Sequence, residues 1–131
     1  MIGVGVDLCA VERIERAIEK PRFLERVYTE GERAYLDSRG KGRAQSAAAM
    51  FAAKEAVAKA LGTGFSRGVM PDQIEVTHGE SGAPGVALHG AALERLRKIG
   101  GARVLLSLSH ERGMAAAFAI AVGKEPSDKP D

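Results

Sequence analysis

From Ala44 to Leu61 the chain carries nine alanines and only three charged residues, Lys54, Glu55 and Lys59. Alanine is the strongest helix former and presents almost nothing polar, so this run predicts one long helix, buried around most of its circumference. Gly62-Thr63-Gly64 ends it, because glycine accepts the left-handed backbone that closes a helix. Such a rod needs a sheet to lie on, and the rest of the pattern supplies strands. Ile2 to Leu8 alternate, with Ile2, Val4, Val6 and Leu8 on one face and Gly3, Gly5 and Asp7 on the other. The glycine face has no bulk, so another backbone, a helix or a ligand must come close to it.

Val11, Ile14 and Ile18 recur at helical spacing before Pro21 stops the helix, and a second short helical stretch covers Phe23 to Val27. Thr29 followed by Glu32 is a capping box that opens a third, through about Ser38. Gly40-Lys41-Gly42 reads as a flexible loop. Asp72 to Thr77, alternating at Ile74 and Val76, reads as a strand that turns through residues 79–85 into a second one around Val86 to Leu88. Ala91, Leu93, Leu96 and Ile99 predict a helix ended by Gly100-Gly101, and residues 103–109 and 115–122 two strands joined by Glu111-Arg112-Gly113. In the last strand Ala115, Ala117, Ala119 and Ala121 form a flat face suited to close packing, on the long helix or on another subunit. This order of elements predicts an α+β fold with a mostly antiparallel sheet packed against one long central helix. A length of 131 residues fits one domain, placed at residues 1–122, with the polar residues 123–131 expected as a disordered tail.

Composition removes several function classes. A formal charge of +2 is too small for wholesale binding of a phosphate backbone, and the few scattered aromatics offer no stacking platform for single strands, so no nucleic acid is expected. The single cysteine, Cys9, excludes an internal disulfide and any zinc site with two thiolates, and points to a reducing cytoplasm. The longest uncharged run near the end, Met114 to Val122, is far short of the roughly 18 residues a membrane span needs.

Glu55 and Lys59 stand four apart on one side of the helix, the arrangement of an ordinary surface ion pair. Their setting argues for more. Ala48, Ala52 and Ala56 keep that side shallow, so two ionised groups would sit beside open space on an otherwise apolar rod, where charges need partners. A carboxylate and an ammonium beside a pocket suit a divalent metal with a phosphate, the lysine offsetting charge that the metal does not reach. Asp7, whose alternative role is a cap on the following helix, brings a second carboxylate from a different element. Oxygen ligands without a His or Cys cluster suit Mg²⁺, which keeps several waters. His110 ends the strand Ser107-Leu108-Ser109-His110, where sheets place sites; its alternative role is a hydrogen-bonded strand-end histidine. Ser109 and His110 point to opposite faces with no orienting acid, which excludes a serine hydrolase. Gly3-Val4-Gly5 lacks the third glycine and the immediate helix of a dinucleotide fingerprint. His78 and His89 read as solvated loop residues.

Gly3-Val4-Gly5-Val6-Asp7, Phe51-Ala52-Ala53-Lys54-Glu55-Ala56 with Lys59 and Gly62-Thr63-Gly64, and Ser107-Leu108-Ser109-His110 together resemble holo-[acyl-carrier-protein] synthase, the small bacterial-type 4′-phosphopantetheinyl transferase, over residues 2 to 122. The resemblance implies the 4′-phosphopantetheinyl transferase-like fold. It also implies Mg²⁺-dependent transfer of 4′-phosphopantetheine from coenzyme A to a serine of an apo acyl carrier protein, releasing adenosine 3′,5′-bisphosphate. Such a reaction serves fatty acid and lipid biosynthesis. By the same likeness Asp7 and Glu55 hold the metal, the pair already singled out from pattern. Lys59 contacts the coenzyme phosphates and stabilises or protonates the departing group. Gly62, Thr63 and Gly64 form the turn at the coenzyme site, and Ser109 and His110 lie near the adenosine 3′-phosphate. Glu55, Lys59 and His110 are thus the catalytic candidates, and the acceptor of the serine proton stays open between Glu55, Glu111 and water at the metal. Arg13 is implied to pair with acidic residues of the carrier, and Arg16, Arg22 and Arg26 extend the basic patch. Met50 departs from the pattern, since many members hold the 3′-phosphate with an arginine there; Lys41, Arg43, Arg67 and Arg112 are candidate substitutes. The family is typically homotrimeric with active sites between subunits, and the glycine and alanine faces are compatible with that.

Two other classes compete. A metal-dependent nuclease would use the same ion, but wants Glu and Lys one residue apart on a strand rather than a helical turn apart. A catalytically silent coenzyme A or carrier-binding module would be consistent with Met50.

Overall fold

The computed structural model describes residues 1–125. Its elements are β1 (Gly3–Ala10), α1 (Val11–Ala17), α2 (Pro21–Val27), α3 (Glu30–Asp37), α4 (Arg43–Ala60), β2 (Ile74–His78), β3 (Pro84–Leu88), α5 (Gly90–Lys98), β4 (Gly101–Glu111) and β5 (Met114–Gly123). β1, β5 and β4 lie side by side in that order as an antiparallel sheet, and β2 with β3 forms a separate hairpin. The fold is α+β, built on the one long helix.

Local chemistry explains most boundaries. Thr29 Oγ1 accepts from the Glu32 amide at 3.1 Å and the Glu32 carboxylate accepts from the Thr29 amide at 2.8 Å, the expected capping box at the start of α3. Two residues in left-handed backbone, Arg112 (φ 50°) and Gly113 (φ 77°), turn β4 into β5. Gly40–Gly42, expected as a flexible loop, is instead a 3₁₀ turn running directly into α4. A second 3₁₀ turn, Pro71–Gln73, takes the first residues expected of the strand that becomes β2, because Pro71 favours a turn start.

α4 lies along the inner face of the sheet, and small residues let it come close. A Cβ on Gly5 would stand 2.0 Å from the carbonyl oxygen of Ala56, and one on Gly3 1.9 Å from that of Ala60. Ala115, Ala117, Ala119 and Ala121 of β5 are buried against the same helix. The glycine and alanine faces are therefore both taken up by the long helix, the first of the two partners the alanine face allowed and one of those the glycine face called for. Ala48, Ala52 and Ala56, expected to border open space, are fully buried for the same reason. On β1 and β5 the larger apolar side chains face outward, Val4, Val6, Leu8 and Phe118 being exposed with Leu105 of β4, while Val104, Leu106 and Leu108 of β4 pack inward. The register sets Val4 against Ile120 and Val6 against Phe118, so these side chains form one continuous surface.

The helix is anchored on its other side by a buried charge. Lys54, wholly shielded from solvent, donates to Glu32 Oε1 at 2.7 Å, to the Pro71 carbonyl at 2.9 Å and to the Ile74 carbonyl at 2.7 Å. Glu32 also accepts from the Val76 amide at 2.8 Å, so one ion pair ties α4 to α3 and β2. Burial lowers the proton affinity of Lys54, and the facing carboxylate works against that.

β5 ends at Gly123, and Glu125 pairs with Arg103 at 2.6 Å, so the first residues of the expected tail belong to the ordered structure. Residues 126–131, the rest of that expectation, lie outside the described residues. Among the described residues no helix is long and apolar enough to cross a membrane.

Candidate active site

Asp7 projects from the inner face of β1, two residues beyond the glycine that lets α4 approach. It does not cap α1: the cap position is Ala10, with no side-chain hydrogen bond. Its partner comes from 52 residues away. Lys59 donates to Asp7 Oδ1 and to the Val6 carbonyl, both at 3.1 Å. The surface pair of Glu55 with Lys59 is thereby replaced by a link between helix and strand. Glu55, one helical turn earlier, is half-buried. Burial raises its proton affinity, the charge of Asp7 raises it further, and Lys59 and Arg13 work the other way. Asp7, Glu55, Lys59 and Arg13 thus act on one another electrostatically in one region.

Two carboxylates whose charges repel in a partly desolvated place favour a cation between them. Among the described residues no three or more His, Cys, Asp or Glu side chains converge on a metal site. A set of two oxygen ligands fits an ion that keeps waters and takes further oxygens from a ligand, as Mg²⁺ does, and does not fit structural zinc.

The Gly62-Thr63-Gly64 turn continues directly from this end of α4. Gly62 (φ 82°) and Gly64 (φ 60°) adopt left-handed backbone. The amide of Gly62 donates to Lys59, and those of Thr63 and Gly64 to Ala58. A residue the sequence pattern missed holds the turn from outside: Arg95 of α5 donates its Nε proton to the Leu61 carbonyl at 2.9 Å. Its apolar neighbours made it look like the ordinary polar face of a helix.

Arg13 is held in place, its guanidinium 5.4 Å above the ring centroid of Phe51, with Phe23 packed on that ring at 6.0 Å. Arg16 is paired with Glu12 on the same helix. Both arginines line an open cleft of about 460 Å³ together with Ala10 and Lys20. Arg22 and Arg26 stand exposed on α2 and do not line it.

His110 and Ser109 lie apart from the carboxylates. His110 is on the inner face at the end of β4, its Nδ1 2.9 Å from Nε2 of Gln45 in the first turn of α4. Glu55 lies ten residues, about 15 Å along the helix axis, further on. Ser109 projects from the opposite, outer face, where it lines a cleft of about 280 Å³ with Leu8, Glu111 and Met114, a cleft that His110 also borders from the strand end. Asp7 and Ser109 therefore point away from opposite sides of one sheet, and a single chain does not bring them together. Met50 is 1% exposed and part of the core, so position 50 offers nothing to a ligand. Lys41 and Arg43 line a cleft of about 240 Å³ shared with Glu15 and Glu19, Arg67 lines another with Arg95 and Lys98, and Arg112 sits in the β4–β5 turn. His78 and His89, expected as solvated loop residues, are both engaged: His78 stacks on Tyr35 with ring centroids 3.9 Å apart, and His89 lies 3.3 Å from Glu75.

Comparison with known proteins meets this geometry. A family model for the 4′-phosphopantetheinyl transferase superfamily matches residues 3–119. A holo-[acyl-carrier-protein] synthase of Desulforudis audaxviator is 48% identical over 131 residues, covering 98% of each chain. The crystal structure of the holo-[acyl-carrier-protein] synthase of Neisseria meningitidis superposes with a TM-score of 0.82 at 35% identity, covering 92% of this chain and 98% of that one. That of Bacillus anthracis, in complex with CoA (3′,5′-ADP), gives a TM-score of 0.79 at 31% identity and covers 94% and 97%. The chain therefore belongs to the 4′-phosphopantetheinyl transferase superfamily, among the holo-[acyl-carrier-protein] synthases.

Proposed function

We propose that this chain transfers 4′-phosphopantetheine from coenzyme A to a serine of an apo acyl carrier protein, with Mg²⁺ as cofactor and adenosine 3′,5′-bisphosphate as the second product. The observation that carries the reading is the Asp7–Lys59 bridge beside the raised carboxyl of Glu55. Asp7 and Glu55 would hold Mg²⁺, which when bound supplies positive charge against the diphosphate of the coenzyme. Lys59 is an ammonium with three donors, two of them engaged by Asp7 and Val6. The third is left for a phosphate oxygen. In the reaction the carrier serine gives up its hydroxyl proton, to Glu55, Glu111 or a water, its oxygen bonds to the β-phosphorus, the one attached to pantetheine, and the bond from that phosphorus to the bridging oxygen breaks. Charge then grows on the departing bisphosphate, and Lys59 is the group of this chain that offsets it. Gly62, Thr63 and Gly64 shape the coenzyme end of the site, and Ser109 and His110 receive the adenosine 3′-phosphate.

Because Ser109 and Asp7 lie on opposite faces of the sheet, a second copy of the chain is needed to complete the site. The outer apolar surface of β1, β4 and β5 is a fitting contact for it, since so broad an apolar patch marks an association surface. A homotrimer with active sites between subunits is the assembly this reading adopts. Arg13, preset by Phe51, leads the basic patch that steers the acidic carrier, with Arg16, Arg22 and Arg26 behind it. A single buried thiol, Cys9, suits a reducing cytoplasm.

The test is incubation with apo carrier, coenzyme A and Mg²⁺, reading the pantetheine mass on the carrier serine. No mass gain with any divalent ion overturns the reading. Asp7→Asn and Glu55→Gln are each expected to lose at least about a hundredfold in rate with the fold kept. Full activity in either would put the ion elsewhere.

A further inference from the structure

We propose that Arg95 of α5 is a positioning residue for coenzyme A, holding the peptide plane between Leu61 and Gly62 so that the Gly62-Thr63-Gly64 turn stands in its binding form before the coenzyme arrives. The inference rests on the reading of that turn as the coenzyme end of the site. The last carbonyls of a helix have no donor from a following turn and must find one elsewhere. At the end of α4 the chain supplies its own for two of them. The Gly62 amide donates to the Lys59 carbonyl at 2.9 Å, and the Thr63 and Gly64 amides donate to that of Ala58 at 3.3 and 3.1 Å. The Leu61 carbonyl is served from outside, by Nε of Arg95 at 2.9 Å. A guanidinium only donates and a carbonyl only accepts, so the direction of this bond is fixed.

The plane it holds is the soft point of the turn. Gly62 stands at φ 82°, and glycine takes the opposite sign of φ about as readily, so the residue itself offers little resistance to rotation of the Leu61–Gly62 peptide. Such a rotation would swing the Leu61 carbonyl away from Arg95 and the Gly62 amide away from Lys59, the residue whose ammonium meets Asp7. Arg95 opposes it twice. Its Nε bonds the carbonyl, and its Nη2 lies 3.3 Å from where a Cβ on Gly62 would stand, so the guanidinium also closes the space beside the glycine. α5 holds the far end of the same segment through a second residue. Gln73 donates from Nε2 to the Gly68 carbonyl at 3.1 Å, and its Oε1 accepts from the amides of Met70 and of Ala92 in α5, both at 3.2 Å. Residues 62–70 are thus tied to α5 at both ends, and Arg95 is the tie next to Lys59.

The experiment uses the full chain. Amide hydrogen exchange of the ligand-free protein, read residue by residue by NMR, is paired with calorimetric titration of coenzyme A and with transfer kinetics. In Arg95→Leu the Gly62, Thr63 and Gly64 amides should exchange at least about tenfold faster than in the native chain, as loss of a hydrogen bond from a charged donor would give. Only the fraction of chains with the turn in its binding form takes up ligand, so coenzyme A should bind about tenfold more weakly and its KM rise as much. Once bound, the turn is restored, and kcat and the KM for the carrier should stay within about twofold. Arg95→Lys keeps the charge and a donor without the planar fork, and should bring coenzyme affinity back to within about threefold of native. Leu96→Val is the control: the Leu96 side chain lies against Gly101 of β4, so the change loosens the packing of α5 and should leave coenzyme affinity native. Weakened coenzyme binding in Arg95→Leu with native exchange at the turn would make Arg95 a direct contact and overturn the positioning role. Native coenzyme affinity in Arg95→Leu, or equal weakening in Leu96→Val, overturns it as well. A native chain that does not bind coenzyme A refutes the reading of the turn itself, and the proposal with it.

Discussion

Replacing Lys54 by methionine should cost the fold about 4 kcal/mol, because the substitution removes the charge and keeps most of the stem. The ammonium uses its three donors on Glu32, Pro71 and Ile74 with no solvent to replace them. Without it, two carbonyls lose their donor and a buried carboxylate loses its counter-charge. Breaking a buried pair by removing one partner costs about 3–5 kcal/mol. The Thr29 and Val76 amides still donate to Glu32, which holds the figure near the middle of that range. Against a total stability of about 5–15 kcal/mol, the loss should lower the melting temperature by about 15 °C.

The companion variants make the reasoning refutable. Glu32→Gln leaves a buried ammonium facing two carbonyls and should cost about 3 kcal/mol. The double variant Lys54→Met with Glu32→Gln buries no charge and still offers an amide oxygen to the backbone donors, so it should be far less damaged than two independent losses would make it. Urea unfolding followed by far-ultraviolet circular dichroism gives each value, and the cycle should return a coupling of at least about 2 kcal/mol. Losses that add within about 0.5 kcal/mol, or a Lys54→Met chain as stable as the native one, would mean that the pair does not act as a unit.

Gly5→Ala should be severe, more than about 3 kcal/mol, since its Cβ would lie 2.0 Å from one backbone atom of α4 and 2.9 Å from another. Gly42→Ala, with nothing within 4 Å and φ of −85°, should be neutral or stabilising by up to about 1 kcal/mol. Soluble yield and urea midpoints decide between them, and equal behaviour would refute the close approach of β1 to α4. Burial, and then the charge of Arg39, lowers the proton affinity of His78 below its ordinary value of 6.5, with Glu32 opposing. The unfolded chain then binds the proton more readily, so the stabilisation is present above pH 6.5 and fades as pH falls through that value toward the folded one. His78→Gln should flatten the fall in midpoint between pH 7 and pH 5 relative to the native chain; parallel curves would count against His78 as the source of that fall.

Local patterns were legible where they act within a turn or two of backbone. The Thr29–Glu32 box, the long alanine helix, the glycine turn after it and both hairpins follow from spacing alone. What the sequence hid was which neighbour each face would meet. Ala48, Ala52 and Ala56 looked like the border of a pocket because smallness marks close approach without saying to what, and here the approaching body is the sheet. Glu32 was visible as a cap, while its second role as the counter-charge of Lys54 depends on a contact 22 residues away. A clue existed, since a lysine surrounded by alanines on a buried helix must find an anion. Asp7 and Glu55 stood out in the sequence as carboxylates from different elements, but that the charge of Asp7 acts on Glu55 and that Lys59 bridges to Asp7 needed the fold.

β1 carries two tasks on alternate residues, and this ties the candidate site to the outer apolar surface. Gly3, Gly5 and Asp7 face α4: the first two exist to let the helix backbone approach, and that approach brings Lys59 within 3.1 Å of the Asp7 carboxylate. Val4, Val6 and Leu8 face outward, and Leu8 remains 65% exposed beside Ser109 in the cleft on that side. A slip of one residue in the pairing with β5 would exchange the sets, driving valines into the helix backbone and turning Asp7 away from Lys59. The glycines thus determine the register as much as the spacing, since only the native pairing sets a residue without Cβ against Ala56 and Ala60. Apolar area left on the outer face of β1 and β5 is the counterpart of inner faces built largely of glycine and alanine on those two strands, whose burial removes little side chain from water. A second chain covering that outer face would recover the missing burial.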